Sequence, residues 1–81
     1  MGIKNTAEAV EGEENMNPKS MGKKLKELRG KRSVTEVAKA VNVSHSSISM
    51  YEIGERIPRD DVKIKLAKYF GVSVESIFFA D

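Results

Sequence analysis

Between Ser33 and Glu52 the chain reads SVTEVAKAVNVSHSSISMYE, two short helical patterns broken by Asn42, Val43 and Ser44. This stretch constrains the fold more than any other. Ser33 followed three residues later by Glu36 is a capping box, so a helix starts here. Val37 and Val41 are four apart and share one face. Ala38, beside them, is small enough to let another helix cross closely. Asn42 falls where the chain must turn sharply, and Asn is among the few non-glycine residues that tolerate the left-handed backbone such a turn needs. Val43 can plug the turn from inside. Ser44 caps a second helix whose Ile48 and Tyr51 face inward. His45, Ser46, Ser49 and Met50 are left on its outer side.

Two crossed helices with a small polar outer face suit the major groove of DNA. The segment resembles the helix-turn-helix of the lambda-repressor-like family (XRE, Cro/cI type). Three further blocks carry the resemblance: LKELR at 25–29 is similar to that family's first helix, YEIGERIPR at 51–59 to its E-x-G-x-R-x-P turn, and LAKYFGVSVESIF at 66–78 to its last two helices. Together they cover about residues 19–79, in order and at the right spacing. The resemblance implies an all-α, five-helix DNA-binding domain over residues 19–81, preceded by a disordered acidic tail at 1–18.

Composition narrows the classes. Eighty-one residues make one small domain at most. With no cysteine and one histidine, the sequence supports neither a disulfide framework nor a Cys- or His-based metal site, and no cofactor is expected. No apolar run approaches the roughly 20 residues needed to span a membrane, so a cytoplasmic, DNA-bound protein of a bacterium or phage is expected. The net charge of +2 hides an asymmetry: residues 1–18 carry −3 and residues 19–81 carry +5. A basic domain favours a polyanion.

Along the chain, helices are expected at about 20–29, 34–41, 45–53, 60–70 and 74–79, with Gly30, Gly54 and Gly71 as stops and Asp60 and Asp61 set against the positive end of the fourth helix dipole. A short helix around 6–10 would have little to pack on. The expected core is Leu25, Leu28, Val37, Ala38, Val41, Val43, Ile48, Leu66, Ala67, Phe70, Val72 and Ile77. Lys63 lies seven residues before Phe70, where the family usually has an apolar residue. Either its stem snorkels or the fourth helix is rotated.

For DNA, phosphate contacts supply affinity and base edges supply specificity. The resemblance assigns base reading to His45, Ser46, Ser49 and Met50. Phosphates would be held at the starts of the second and third helices by Ser33, Thr35, Ser44 and Ser47, and by Lys31, Arg32, Arg56 and Arg59. None of the base-reading residues is the Arg, Asn or Gln that forms bidentate base pairings, so water-mediated contacts and DNA shape should share the work. Val34 and Ile53 stand where the family often has Gln and Asn. Arg29 and Glu52 occupy positions of a family ion pair that ties the first helix to the third.

One short helix reads few base pairs, so a homodimer on a two-fold operator is expected. Phe79, with Val74 or Phe78, is the candidate dimer contact; alternatively both phenylalanines close the chain's own core. Enzymatic activity is not expected, because the serines near His45 are explained by capping and groove contact. The expected function is sequence-specific double-stranded DNA binding by a small transcriptional regulator that acts as a repressor, with the helix at 45–53 in the major groove. The alternative is a protein-interaction module, such as an antitoxin or anti-repressor-binding protein, with secondary DNA binding.

Overall fold

The computed structural model describes residues 17–79, and within them all regular structure is helical. The acidic tail and the helix considered around residues 6–10 lie outside this range. The helices are α1 (Pro18–Arg29), α2 (Val34–Val41), α3 (His45–Glu52), α4 (Asp60–Phe70) and α5 (Val74–Phe78).

Local chemistry sets most of the ends. The Asn17 side chain accepts hydrogen bonds from the Lys19 and Ser20 amides, each at 3.1 Å, with Pro18 in the first turn. This cap starts α1 two residues earlier than expected, because Pro is at home where no intrahelical N–H is needed. Ser33, Ser44 and Ser73 cap α2, α3 and α5, their hydroxyls accepting from the amides of Glu36, Ser47 and Ser76. Asn42 ends α2 in the left-handed conformation, φ 60° and ψ 49°. The Val43 amide then reaches back to the Ala38 carbonyl at 3.0 Å, closing the helix-ending loop that makes the turn tight. No side chain caps α4, and Asp60 and Asp61 in its first turn offset the helix dipole instead.

Each helix turns one stripe toward a single core. Met21 and Leu25 come from α1, Val37, Ala38 and Val41 from α2, Ile48 and Tyr51 from α3, Val62, Leu66 and Ala67 from α4, and Ile77 and Phe78 from α5. Leu28, Val43, Phe70 and Val72, expected fully inside, are partly buried and rim this core. The helix ends and turns that carry them leave one side open to water.

Lys63 snorkels, and α4 is not rotated. Its side chain is only 12% exposed, and its ammonium reaches the Asp60 carboxylate at 3.6 Å. The same ammonium lies 5.7 Å from the Phe78 ring centre and 5.6 Å from that of Phe79. The stem covers apolar surface while the charge rests on two π-faces.

Two glycines let α1 lie directly on α3. A Cβ on Gly22 would come within 2.3 Å of the Glu52 carbonyl oxygen and 2.6 Å of that of Tyr51. Gly54, just beyond α3, has φ +79°, and a Cβ there would sit 3.1 Å from the Pro18 carbonyl oxygen. Gly54 thus satisfies two demands at once, a left-handed backbone and a close approach.

Candidate nucleic-acid interface

The outer side of α3 is built from its own period. Ile48 and Tyr51 are anchored in the core at 3% and 5% exposure, which fixes the rotation of the helix about its axis. His45 and Ser46 are consequently exposed, and Ser49 and Met50 are partly exposed. These are the four residues expected to read bases, and they share one face.

Ser44 and Ser47 form a closed cap. The Ser47 amide donates to Ser44 Oγ at 3.0 Å, and Ser44 Oγ donates to Ser47 Oγ at 3.0 Å. The Ile48 amide donates to the Ser44 carbonyl. Helix geometry leaves the earlier amides, those of His45 and Ser46, pointing out along the axis, where an anion is favoured.

Four of the candidate phosphate residues share one groove. Ser44 and Ser47 line it together with Arg56 and Arg59, which come from the loop between α3 and α4. Arg59 lies 3.8 Å from Asp61, with both side chains well exposed, a pairing too loose to hold it. Ser33, Thr35 and Lys31 lie exposed at the start of α2. Ser33 spends its oxygen on the Glu36 amide at 3.0 Å.

Arg32 does not join them. Its Nη1 donates to the Leu28 carbonyl at 3.0 Å. Its guanidinium lies 5.3 Å from the Tyr69 ring centre and 5.6 Å from that of Phe70, and those two rings meet edge-on. The guanidinium of this exposed residue thus lies against an aromatic pair of α4 while it bonds the end of α1. The sequence offers Arg32 and the aromatics 37 residues apart, with no local sign that they meet.

Arg29 and Glu52 meet as a forked pair. Arg29 Nε and Nη2 donate to the two Glu52 oxygens at 2.6 and 3.1 Å, and Nη1 donates to the Arg32 carbonyl at 2.8 Å. The hydrogen bond to Glu52 holds the Arg29 guanidinium above its ordinary pKa, against the opposing effect of burial. All three nitrogens of one side chain thus tie the end of α1, the following turn and the end of α3 together.

The candidate dimer residues separate. Phe78 is 1% exposed and belongs to the chain's own core, so it offers no surface to a second copy. Phe79 is 43% exposed, and with partly buried Val74 it lines a shallow groove. Ile64, which the sequence did not single out, lines the same groove and is 48% exposed. Its signal was available: it is an isoleucine on α4 off the Val62–Leu66 stripe.

Residues 23–77 match the helix-turn-helix family model. The chain belongs to the lambda-repressor-like helix-turn-helix family. Over 60 residues it is 38% identical to an uncharacterized HTH-type transcriptional regulator of Methanocaldococcus jannaschii, covering 72% of this chain and 91% of that protein. No helix among the described residues is long and apolar enough to cross a membrane, and no cluster of metal-ligating side chains occurs among them.

Proposed function

We propose that this protein is a sequence-specific double-stranded DNA-binding transcription regulator, acting as a repressor, with α3 in the major groove. The observation that carries this reading is the convergence of Ser44, Ser47, Arg56 and Arg59 on one groove beside the exposed face of α3. Phosphate held there would set α3 against the base edges, with Thr35 and Lys31 holding the backbone on the far side. The family relationship and the relative's description as a transcriptional regulator support the same reading.

The groove of Ile64, Val74 and Phe79 supports a homodimer, which would place two reading helices about one DNA turn apart. Repression would follow from occupancy of the operator. One observation favours a second reading as a protein-interaction module: α3 carries no Arg or Lys.

Selection of bound duplexes from a random pool, followed by titration in increasing salt, separates the two. The DNA reading expects an enriched motif repeated with two-fold symmetry. It also expects affinity that falls steeply with salt, log K changing by about −0.9 per phosphate contacted. An unenriched pool with no salt dependence would leave the interaction-module reading standing.

A further inference from the structure

Ile53 extends the reading face of α3 past the residues the polar pattern identifies. Its backbone remains helical, φ −91° and ψ 0°, and its amide donates to the Ser49 carbonyl. Its side chain therefore keeps the register of the helix, seven residues from Ser46, four from Ser49 and three from Met50. Ile48 and Tyr51 hold the opposite side in the core. Ile53 is 59% exposed, more than any other large hydrophobic residue of the described chain. The face is thus graded: imidazole and hydroxyl at the start, thioether and branched alkyl at the end.

A solitary exposed isoleucine is ordinary. This one is neither solitary nor placed at random, because partly exposed Met50 adjoins it on the same face. Neither side chain offers a proton to a base, and the isoleucine can accept none either. Of the features that base pairs show in the major groove, only the C5-methyl of thymine is apolar.

We infer that Ile53, together with Met50, is a specificity-determining contact that selects thymine by its methyl group at the end of each half-site read by the last turn of α3. This rests on the proposed DNA-binding function. It deepens that reading by naming the base and the atom recognised. Where a polar side chain would read a donor or acceptor, this face reads the presence or absence of one carbon.

The test uses the full chain and a duplex enriched from the random pool. Each thymine is replaced singly by uracil, which removes the C5-methyl and leaves every hydrogen-bonding group in place. Binding is measured for the wild type and for I53A. The expected result is a position at which uracil weakens wild-type binding about four-fold, the worth of one methyl taken out of water. At that position I53A binds the thymine duplex more weakly than the wild type and is indifferent to uracil. Because Ile53 lies outside the core, thermal midpoints of the two proteins should agree. The substitution in the DNA also needs no altered protein. Uracil tolerated at every position by the wild type would overturn the assignment, as would an I53A variant that keeps the full uracil penalty. Neither result would touch DNA binding as such. A pool without enrichment overturns the function itself and this contact with it.

Discussion

Substituting Gly22 by alanine tests the seat of α3, because two opposing effects predict different signs. Gly22 lies inside α1, where helix propensity alone makes alanine more stable by about 1 kcal/mol. The structure predicts the reverse. The new Cβ would lie 2.3 and 2.6 Å from two carbonyl oxygens and 2.8 Å from the Glu52 carbonyl carbon, where ordinary contact begins at 3.4 Å. All three atoms belong to the backbone of α3, so no side chain can rotate to make room. The helices must part by about 1 Å, loosening Met21 and Leu25 against Ile48 and Tyr51. Overpacking of this kind costs about 1–3 kcal/mol. With the propensity gain set against it, G22A should be less stable by about 1 kcal/mol, a fall in melting temperature of about 4–8 °C for a domain this size. Urea and thermal unfolding measure this directly. Affinity for the selected duplex should fall more than affinity for random DNA, since base contacts lose their geometry while phosphate attraction does not. A variant as stable as the wild type, or more so, would show that α1 and α3 do not approach as closely as described.

Two further substitutions separate packing from contact. R32A should lose about 0.5–1 kcal/mol of stability from the exposed stack on Tyr69 and Phe70 while the salt dependence of DNA binding stays the same. K31A should leave stability intact and reduce the salt slope by about 0.9; a reduced slope for R32A would return that residue to the phosphate contacts. A double-mutant cycle on Arg29 and Glu52, read by urea unfolding, should give a coupling of about 1–2 kcal/mol, and no coupling would remove the pair's assigned role. The guanidinium pKa is raised, so its contribution is complete below the unfolded value and fades only as pH climbs past the still higher folded one. The arginine side of the pair should therefore be indifferent to pH between roughly 6 and 10.

The sequence is most legible where chemistry is local. Ser33, Ser44 and Ser73 each bond an amide three residues on, and Asn42 alone among non-glycine residues described takes a positive φ. Those features need only near neighbours, so the helices and the tight turn could be read directly. The face carrying His45, Ser46, Ser49 and Met50 follows from the same periodicity. Burial at helix ends is less legible. Phe78 and Phe79 are adjacent, and only the seating of α5 on α1 and α4 decides that the first goes inside. Met21 and Val62 complete the core for the same reason, through crossings between distant helices, whereas Tyr51 takes the inward place that its spacing from Ile48 predicts. Arg32 shows the limit at the site: the sequence marks its charge but not the aromatic pair that the far end of α4 brings against it. Ile53 reads in sequence as a departure from the family pattern, and its place beside the polar face follows from helical register together with its exposure.

The fit of Gly54 against Pro18 has a practical corollary for anyone handling this molecule. Whatever chain precedes Asn17 departs from beside the C-terminal tip of α3. An affinity tag, fluorophore or fusion partner joined there shares the neighbourhood of the surface proposed to meet DNA, and its bulk or charge would enter every binding measurement.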